Sequence, residues 1–343
     1  MSTMDPDLEA MLELARKAGA KPFEALTPEQ ARAAYAAGWD VLQPTAEEVA
    51  SVRDSTVAGP LGALALRIYR GIGTDVGDLL PCMVFLHGGG WVIGNLESHD
   101  RLCRRLANRG RICVVAVDYR LAPEHRFPAA LDDCTAALQW VHDNQQALGI
   151  APGRIGIGGD SAGGNLAAVL ALMARDGSVP PLMFQALLYP ALDLTADSGS
   201  YRSVTSGVPL TAATMHYFID HYVPDARARL DWRASPLRAA SLAGTAPALV
   251  MTVSHDPLCD EGRDYARRLD QAGVRVAALH YNDQMHGLLG QGKLVPAANV
   301  IANHVFGLIG HELHRVAAAA ARTESLEFPV SLTPAAVVRH AQP

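Results

Sequence analysis

At 343 residues, 49% hydrophobic and 19% charged, the chain has the composition of a globular protein with a sizeable core, in one large domain or two small ones. Its 29 basic and 35 acidic side chains leave a net charge of -6, which argues against nucleic acid or an anionic membrane as a main partner. No apolar run approaches the ~20 residues that span a bilayer, and the start, Met1-Ser2-Thr3-Met4-Asp5-Pro6, lacks the basic and apolar regions of a secretory signal.

Residues Asp5 to about Ala37 read as two amphipathic helices separated near Gly19 to Pro22. Thr27-Pro28-Glu29-Gln30 carries a threonine cap and a proline at the first helical position. We expect segment 1–46 to form the first segment of a helical cap; an N-terminal arm packed on the core is the alternative. The first stretch of the catalytic core is expected over 47–192. It opens with antiparallel strands up to Arg70, where Leu64, Leu66 and Ile68 alternate with Ala65, Arg67 and Tyr69. Strand 81–87 follows and runs into His87-Gly88-Gly89-Gly90-Trp91. Helix 97–109, strand 112–118, helix 128–147, strand 154–158, helix 162–175 and strand 183–190 come next. Such alternation marks βαβ units and a mostly parallel sheet with helices on both faces.

Residues 193–234 break the alternation with a polar loop and a helix over about 211–223. An excursion between core strands is where a second cap segment is expected. Leu210, Met215, Phe218 and Tyr222 are its candidates to line a pocket, with packing inside the cap as the alternative. The core resumes over 235–316 with strand 246–254, helix 260–272, strand 274–281 and helix 296–316. The tail 317–343 has no functional reading. Cys82, Cys103, Cys113, Cys134 and Cys259 are odd in number and lack paired spacing; buried free thiols in the reducing cytoplasm are the simplest account.

Four segments carry the chemistry. Gly159-Asp160-Ser161-Ala162-Gly163 fits G-x-S-x-G between a buried strand and a helix, which presents a serine hydroxyl on a sharp turn. Asp256 ends strand 246–254, and His286 lies in a loop after strand 274–281. All three lie past strand carboxyl ends, where open α/β sheets place their sites. Serine at its free pKa is a poor nucleophile; an imidazole must take its proton, and a carboxylate must orient that imidazole. The glycines after His87 leave backbone N–H groups bare. Gly88 and Gly89, with Ala162, are the candidate donors to the charge that develops on an attacked carbonyl. A phosphate loop is the poorer reading, since G-x-x-x-x-G-K-[ST] is absent and no acidic ribose-binding residue stands out roughly 20 residues on. His87 reads as structural, and no histidine shows metal-ligand spacing, so neither a catalytic metal nor a cofactor is expected.

Taken together, His87-Gly88-Gly89-Gly90-Trp91, Asp118-Tyr119-Arg120-Leu121-Ala122-Pro123-Glu124, Gly159-Asp160-Ser161-Ala162-Gly163-Gly164, Asp256-Pro257-Leu258 and His286-Gly287 resemble the hormone-sensitive-lipase-like family of microbial carboxylesterases. The resemblance runs from about residue 5 to residue 315. It implies the α/β-hydrolase fold, with about eight strands and a helical cap, and the subgroup with Asp before the serine. It implies Ser161 as nucleophile, Asp256 as acid and His286 as base. Short- to medium-chain esters are the implied substrates; an amidase, lactonase or deacetylase with the same triad is the runner-up, and a non-catalytic binding protein a further alternative. A homodimer is compatible with the subgroup. Three departures bear on pocket shape and loop mobility: Leu288 where the family commonly has Phe, Cys259 where a basic residue is common, and Asp283-Gln284 in a stretch that usually includes a glycine. Leu288 is accordingly a fifth candidate pocket residue.

Overall fold

The apolar runs pair into one eight-stranded sheet. In the computed structural model, residues 3–75 and 77–325 are described, with side chains as far as Arg315. The strands are β1 (Ser51–Gly59), β2 (Gly62–Arg70), β3 (Leu80–Leu86), β4 (Cys113–Val117), β5 (Ile150–Asp160), β6 (Phe184–Leu188), β7 (Ala248–His255) and β8 (Val276–Met285), in the order β1-β2-β4-β3-β5-β6-β7-β8. β1 and β2 form a hairpin, β2 pairs antiparallel with β4, and every later pairing is parallel. All seven residues of β3 are buried, as a parallel strand covered on both faces requires.

The described residues also hold nine α-helices: α1 (Pro6–Lys17), α2 (Pro28–Leu42), α3 (Leu96–Gly110), α4 (Ala129–Asp143), α5 (Ala162–Arg175), α6 (Gly199–Ser203), α7 (Ala212–Tyr222), α8 (Cys259–Gln271) and α9 (Pro296–Ser325). The strand alternation sorts the core into two apolar layers. Cys82, Val84 and Leu86 of β3 join α4, α5, α7 and α8 on one face. Met83 and Phe85 join α3 and α9 on the other. Local chemistry sets the helix starts: Thr27 and Gln30 form a capping box on α2, and Asn95 and Ser98 form one on α3. No helix among the described residues is long and apolar enough to cross a membrane.

Some element ends differ from the sequence reading. β8 continues four residues past 281, because His255 pairs with Met285 after a register shift in β7 and carries polar Asn282-Asp283-Gln284 into the strand. α4 stops at Asp143 rather than 147: the Asn144 side chain donates to the Trp140 carbonyl at 2.8 Å, and Gly149, with φ of 65°, turns the chain into β5. Segment 1–46 divides in two. Leu8 and Met11 of α1 pack in the core layer of α3 and α9, and the Asp5 N–H donates to the Asp283 carbonyl at 2.9 Å. This half is an arm on the core. The stretch from Phe23 onward meets the inserted segment: the Phe23 and Phe218 rings are 5.8 Å apart, and the Thr214 hydroxyl donates to Glu24 at 2.7 Å.

Candidate active site

β5 delivers its last residue, Asp160, to the carboxyl edge of the sheet, and α5 begins at Ala162. Ser161 between them has φ of 56° and ψ of -116°, a strained conformation that a serine holds only when its surroundings fix it. Its N–H donates to the Leu188 carbonyl at 2.9 Å. The turn is tight because β3 runs directly beneath it. A Cβ on Gly159 would lie 2.4 Å from the Leu86 carbonyl oxygen, and one on Gly163 only 1.9 Å from it. Both neighbours are backbone and cannot swing aside. Gly163→Ala is therefore expected to cost about 3 kcal/mol of stability, the upper end of overpacking effects. A lower urea midpoint together with lost turnover would bear this out.

The serine hydroxyl faces His286, with Oγ 2.9 Å from Nε2. The other ring nitrogen, Nδ1, lies 2.7 Å from Oδ2 of Asp256. An ionised carboxylate only accepts, so Nδ1 carries the proton and Nε2 is left to accept from the serine. Asp256 is 1% exposed, and its second oxygen accepts the Leu258 N–H at 2.8 Å. The Tyr189 ring lies against the imidazole, 4.7 Å between centroids. The inserted segment supports the acid loop: Ser200 donates its hydroxyl to the Pro257 carbonyl at 2.6 Å, and its N–H goes to Asp260 at 2.8 Å. Glu261 ties α8 to the chain after β6, accepting the Leu192 N–H at 2.7 Å; burial pushes its carboxyl well above the ordinary range.

After β3 the chain takes three left-handed residues in succession, Gly89, Gly90 and Trp91. The strap that follows β4 holds this loop. Tyr119 donates its hydroxyl to the His87 carbonyl at 2.6 Å, and Ala122 donates its N–H to the Trp91 carbonyl at 2.8 Å. Arg32 of α2 reaches the Val92 and Ala122 carbonyls and pairs with Glu124. His87 stacks on Tyr119 at 4.1 Å, and burial, with His99 nearby, lowers its pKa to about 3. It is therefore a neutral structural ring, not a base.

The loop geometry corrects one expected donor. The Gly88 N–H is committed to Oδ1 of Asp160 at 2.9 Å and is not free to meet an oxyanion. The N–H groups of Gly89 and Gly90 take no partner among the described residues, and neither does that of Ala162 at the start of α5. Gly90 was missed in the sequence reading. The available signal was the run of three glycines, which does not say which N–H points where.

The expected pocket residues are mostly interior. Leu210, Met215, Phe218 and Tyr222 are buried in the core layer of α4 and α5, so packing accounts for them. Tyr222 stacks on Trp91, 4.6 Å between centroids. Phe218 reaches the loop as well: a Cβ on Gly90 would strike its ring at 2.2 Å. Leu288 is fully buried in the opposite layer with Met285 and Leu289, so it is a core residue and not a pocket wall. The cavity beside the site, about 60 Å³, is lined instead by residues including Tyr35, His99, Asp160, Tyr189, Gly287 and Leu289. Tyr35 comes from α2 and Tyr189 from the end of β6, positions that no motif marks. Among the described residues, no group of three or more His, Cys, Asp or Glu is arranged to hold a metal ion.

A serine on a strand-to-helix turn, in line with an imidazole and a buried carboxylate at the carboxyl edge of a mostly parallel sheet, defines an α/β-hydrolase. The chain belongs to the alpha/beta hydrolase fold family, whose sequence pattern matches residues 83–290. It is 38% identical over 322 residues to the carboxylic ester hydrolase LipN of Mycobacterium tuberculosis, covering 92% of this chain and 85% of that one. It is 36% identical over 303 residues to an ethyl acetate hydrolase of Pseudomonas putida, covering 87% and 95%. Among solved structures, the alpha/beta hydrolase LAE6 from the metagenome of Lake Arreo superposes with a TM-score of 0.87 at 37% identity, over 92% of this chain and all of that one. An esterase from Pyrobaculum calidifontis superposes with a TM-score of 0.82 at 38% identity, over 92% and 99%.

Proposed function

We infer that the protein is a serine carboxylesterase that works through an acyl-enzyme. The observation that carries this reading is the unbroken line from Ser161 Oγ through the His286 ring to Asp256. His286 Nε2 takes the serine proton as Oγ attacks the ester carbonyl. The new charge on the carbonyl oxygen is met by the N–H groups of Ala162 and Gly89, with that of Gly90 beside them. His286 then gives its proton to the leaving alcohol. Water, deprotonated by the same nitrogen, attacks the acyl-enzyme, and His286 passes that proton to Ser161 Oγ as the acid leaves. Asp256 stays ionised throughout and stabilises the imidazolium. Labelling with a fluorophosphonate, intact-mass measurement and peptide mapping test the reading: one adduct on Ser161 is expected, and an unlabelled Ser161 rejects it.

Short- to medium-chain esters are the proposed substrates, in keeping with the ester-hydrolysing relatives. Residues 23–46 and 193–234 act as a cap over the site, a role supported by the Phe23–Phe218 and Glu24–Thr214 contacts. Ser161 is only 7% exposed, so this cover also limits bulk water. Phe218 restricts space beside Gly90. Phe218→Ala is expected to shift preference toward longer acyl or alcohol chains, by about tenfold in relative kcat/KM, across a p-nitrophenyl and alkyl ester series. Five buried free cysteines support a reducing, cytoplasmic setting. The family resemblance supports a homodimer, which sedimentation velocity tests.

A further inference from the structure

Asp160 stands next to the nucleophile but takes no part in the Ser161–His286–Asp256 line. It is 8% exposed, and its Oδ1 receives two groups at once: the Gly88 N–H at 2.9 Å and Nε2 of His99 at 3.1 Å. His99 is held in turn from α3, with Nδ1 2.8 Å from the Ser98 hydroxyl, which belongs to the capping box of that helix. Both ring nitrogens of His99 thus have a partner, Asp160 at Nε2 and the Ser98 hydroxyl at Nδ1. Burial opposes the charge on Asp160, but His99 and the Gly88 N–H together hold its carboxyl below the ordinary range. The fit is close: a Cβ on Gly88 would lie 2.4 Å from Oδ2 of Asp160.

The donors to the oxyanion come from two separate stretches, Ala162 from the nucleophile turn and Gly89 and Gly90 from the loop after β3. They act together only if the two stretches are held in register. Gly88 is the residue just before the loop donors, and Asp160 is the residue just before the nucleophile. The hydrogen bond between them joins both halves at the point where they must agree. We propose that Asp160, oriented by His99, is a positioning residue that locks the oxyanion loop onto the nucleophile turn. The inference rests on the esterase reading above.

The test uses Asp160→Ala, which removes the acceptor, Asp160→Asn, which retains one oxygen, and His99→Gln. In Asp160→Ala, kcat is expected to fall about ten- to a hundredfold, less than the ~10²–10³-fold typical of deleting a donor outright. KM should stay within about threefold, as expected when only transition-state contacts are lost. Affinity for an alkylboronic acid, which forms an oxyanion-like adduct on the serine, should fall in parallel with kcat, whereas affinity for the matching uncharged alkyl ether should not change. Asp160→Asn should recover much of the loss, and His99→Gln should show a smaller loss of the same kind. If Asp160→Ala does not fold, His99→Gln decides on the same readouts. Unchanged kcat and boronate affinity in a folded variant overturn the inference and leave the esterase reading standing; so does an equal loss of ether and boronate affinity, which marks a general collapse of the pocket. A wild-type protein that takes no fluorophosphonate on Ser161 overturns both.

Discussion

Ser161→Ala is expected to lower kcat by about 10⁶-fold, with KM little changed. The hydroxyl is the only atom that can form the acyl bond, because no other nucleophile faces His286 Nε2 among the described residues, and Oγ is 2.9 Å from it. The residual rate should still exceed that of the uncatalysed reaction, since the N–H groups of Gly89, Gly90 and Ala162 remain to stabilise attack by water. Stability should change little. The serine side chain makes one hydrogen bond within the triad, a net effect of about 1 kcal/mol, and the backbone strain at φ of 56° is the same for alanine. Steady-state kinetics with a p-nitrophenyl ester, beside a thermal melt, separates the two effects. Turnover within tenfold of wild type in a folded variant would reject the nucleophile.

Asp256→Asn is expected to cost about 10⁴-fold in kcat while leaving the fold intact. The reason lies in the second oxygen of the carboxylate. Oδ1 accepts the Leu258 N–H at 2.8 Å, and an asparagine would keep its oxygen there. Its amide NH₂ would then face His286, where Oδ2 now accepts from Nδ1 at 2.7 Å. Two donors cannot meet, so the imidazole would move its proton to Nε2. That nitrogen could no longer accept from Ser161. The buried site offers the amide no easy way to flip, because flipping would set its NH₂ against the Leu258 N–H. Kinetics should show loss in kcat and not in KM, and a melt should show a small shift only. Near wild-type turnover would mean that Asp256 does not orient the base.

The triad was legible because each member sits at the end of an apolar run that names its own strand. Gly159, Ile157 and Ile155 announce β5, and a G-x-S-x-G turn follows from local backbone needs. Leu249, Val250, Met251 and Val253 announce β7 before Asp256. The strand end before His286 was not legible, since Asn282-Asp283-Gln284 look like a loop; they lie between the Val253–Tyr281 and His255–Met285 pairings, and the Asp283 carbonyl accepts from Asp5. The split of segment 1–46 was not legible, because an amphipathic helix declares that it has an apolar face and not what covers it. Leu8 and Met11 found the core; Phe23 found Phe218.

What the sequence alone determined is the kind of protein: a doubly wound sheet, a serine on a sharp turn, and an acid and a base in hydrolase order. Those features depend on short-range preferences of strands, turns and helix starts. The tertiary structure decided which glycine N–H groups are free, because Gly88 meets a carboxylate 72 residues further along the chain. It also decided that Tyr35 and Tyr189 line the cavity while Leu288 lies in the core. The direction of a hydrogen-bond donor and the wall of a cavity are fixed by what long-range packing brings alongside them, and no local pattern encodes that.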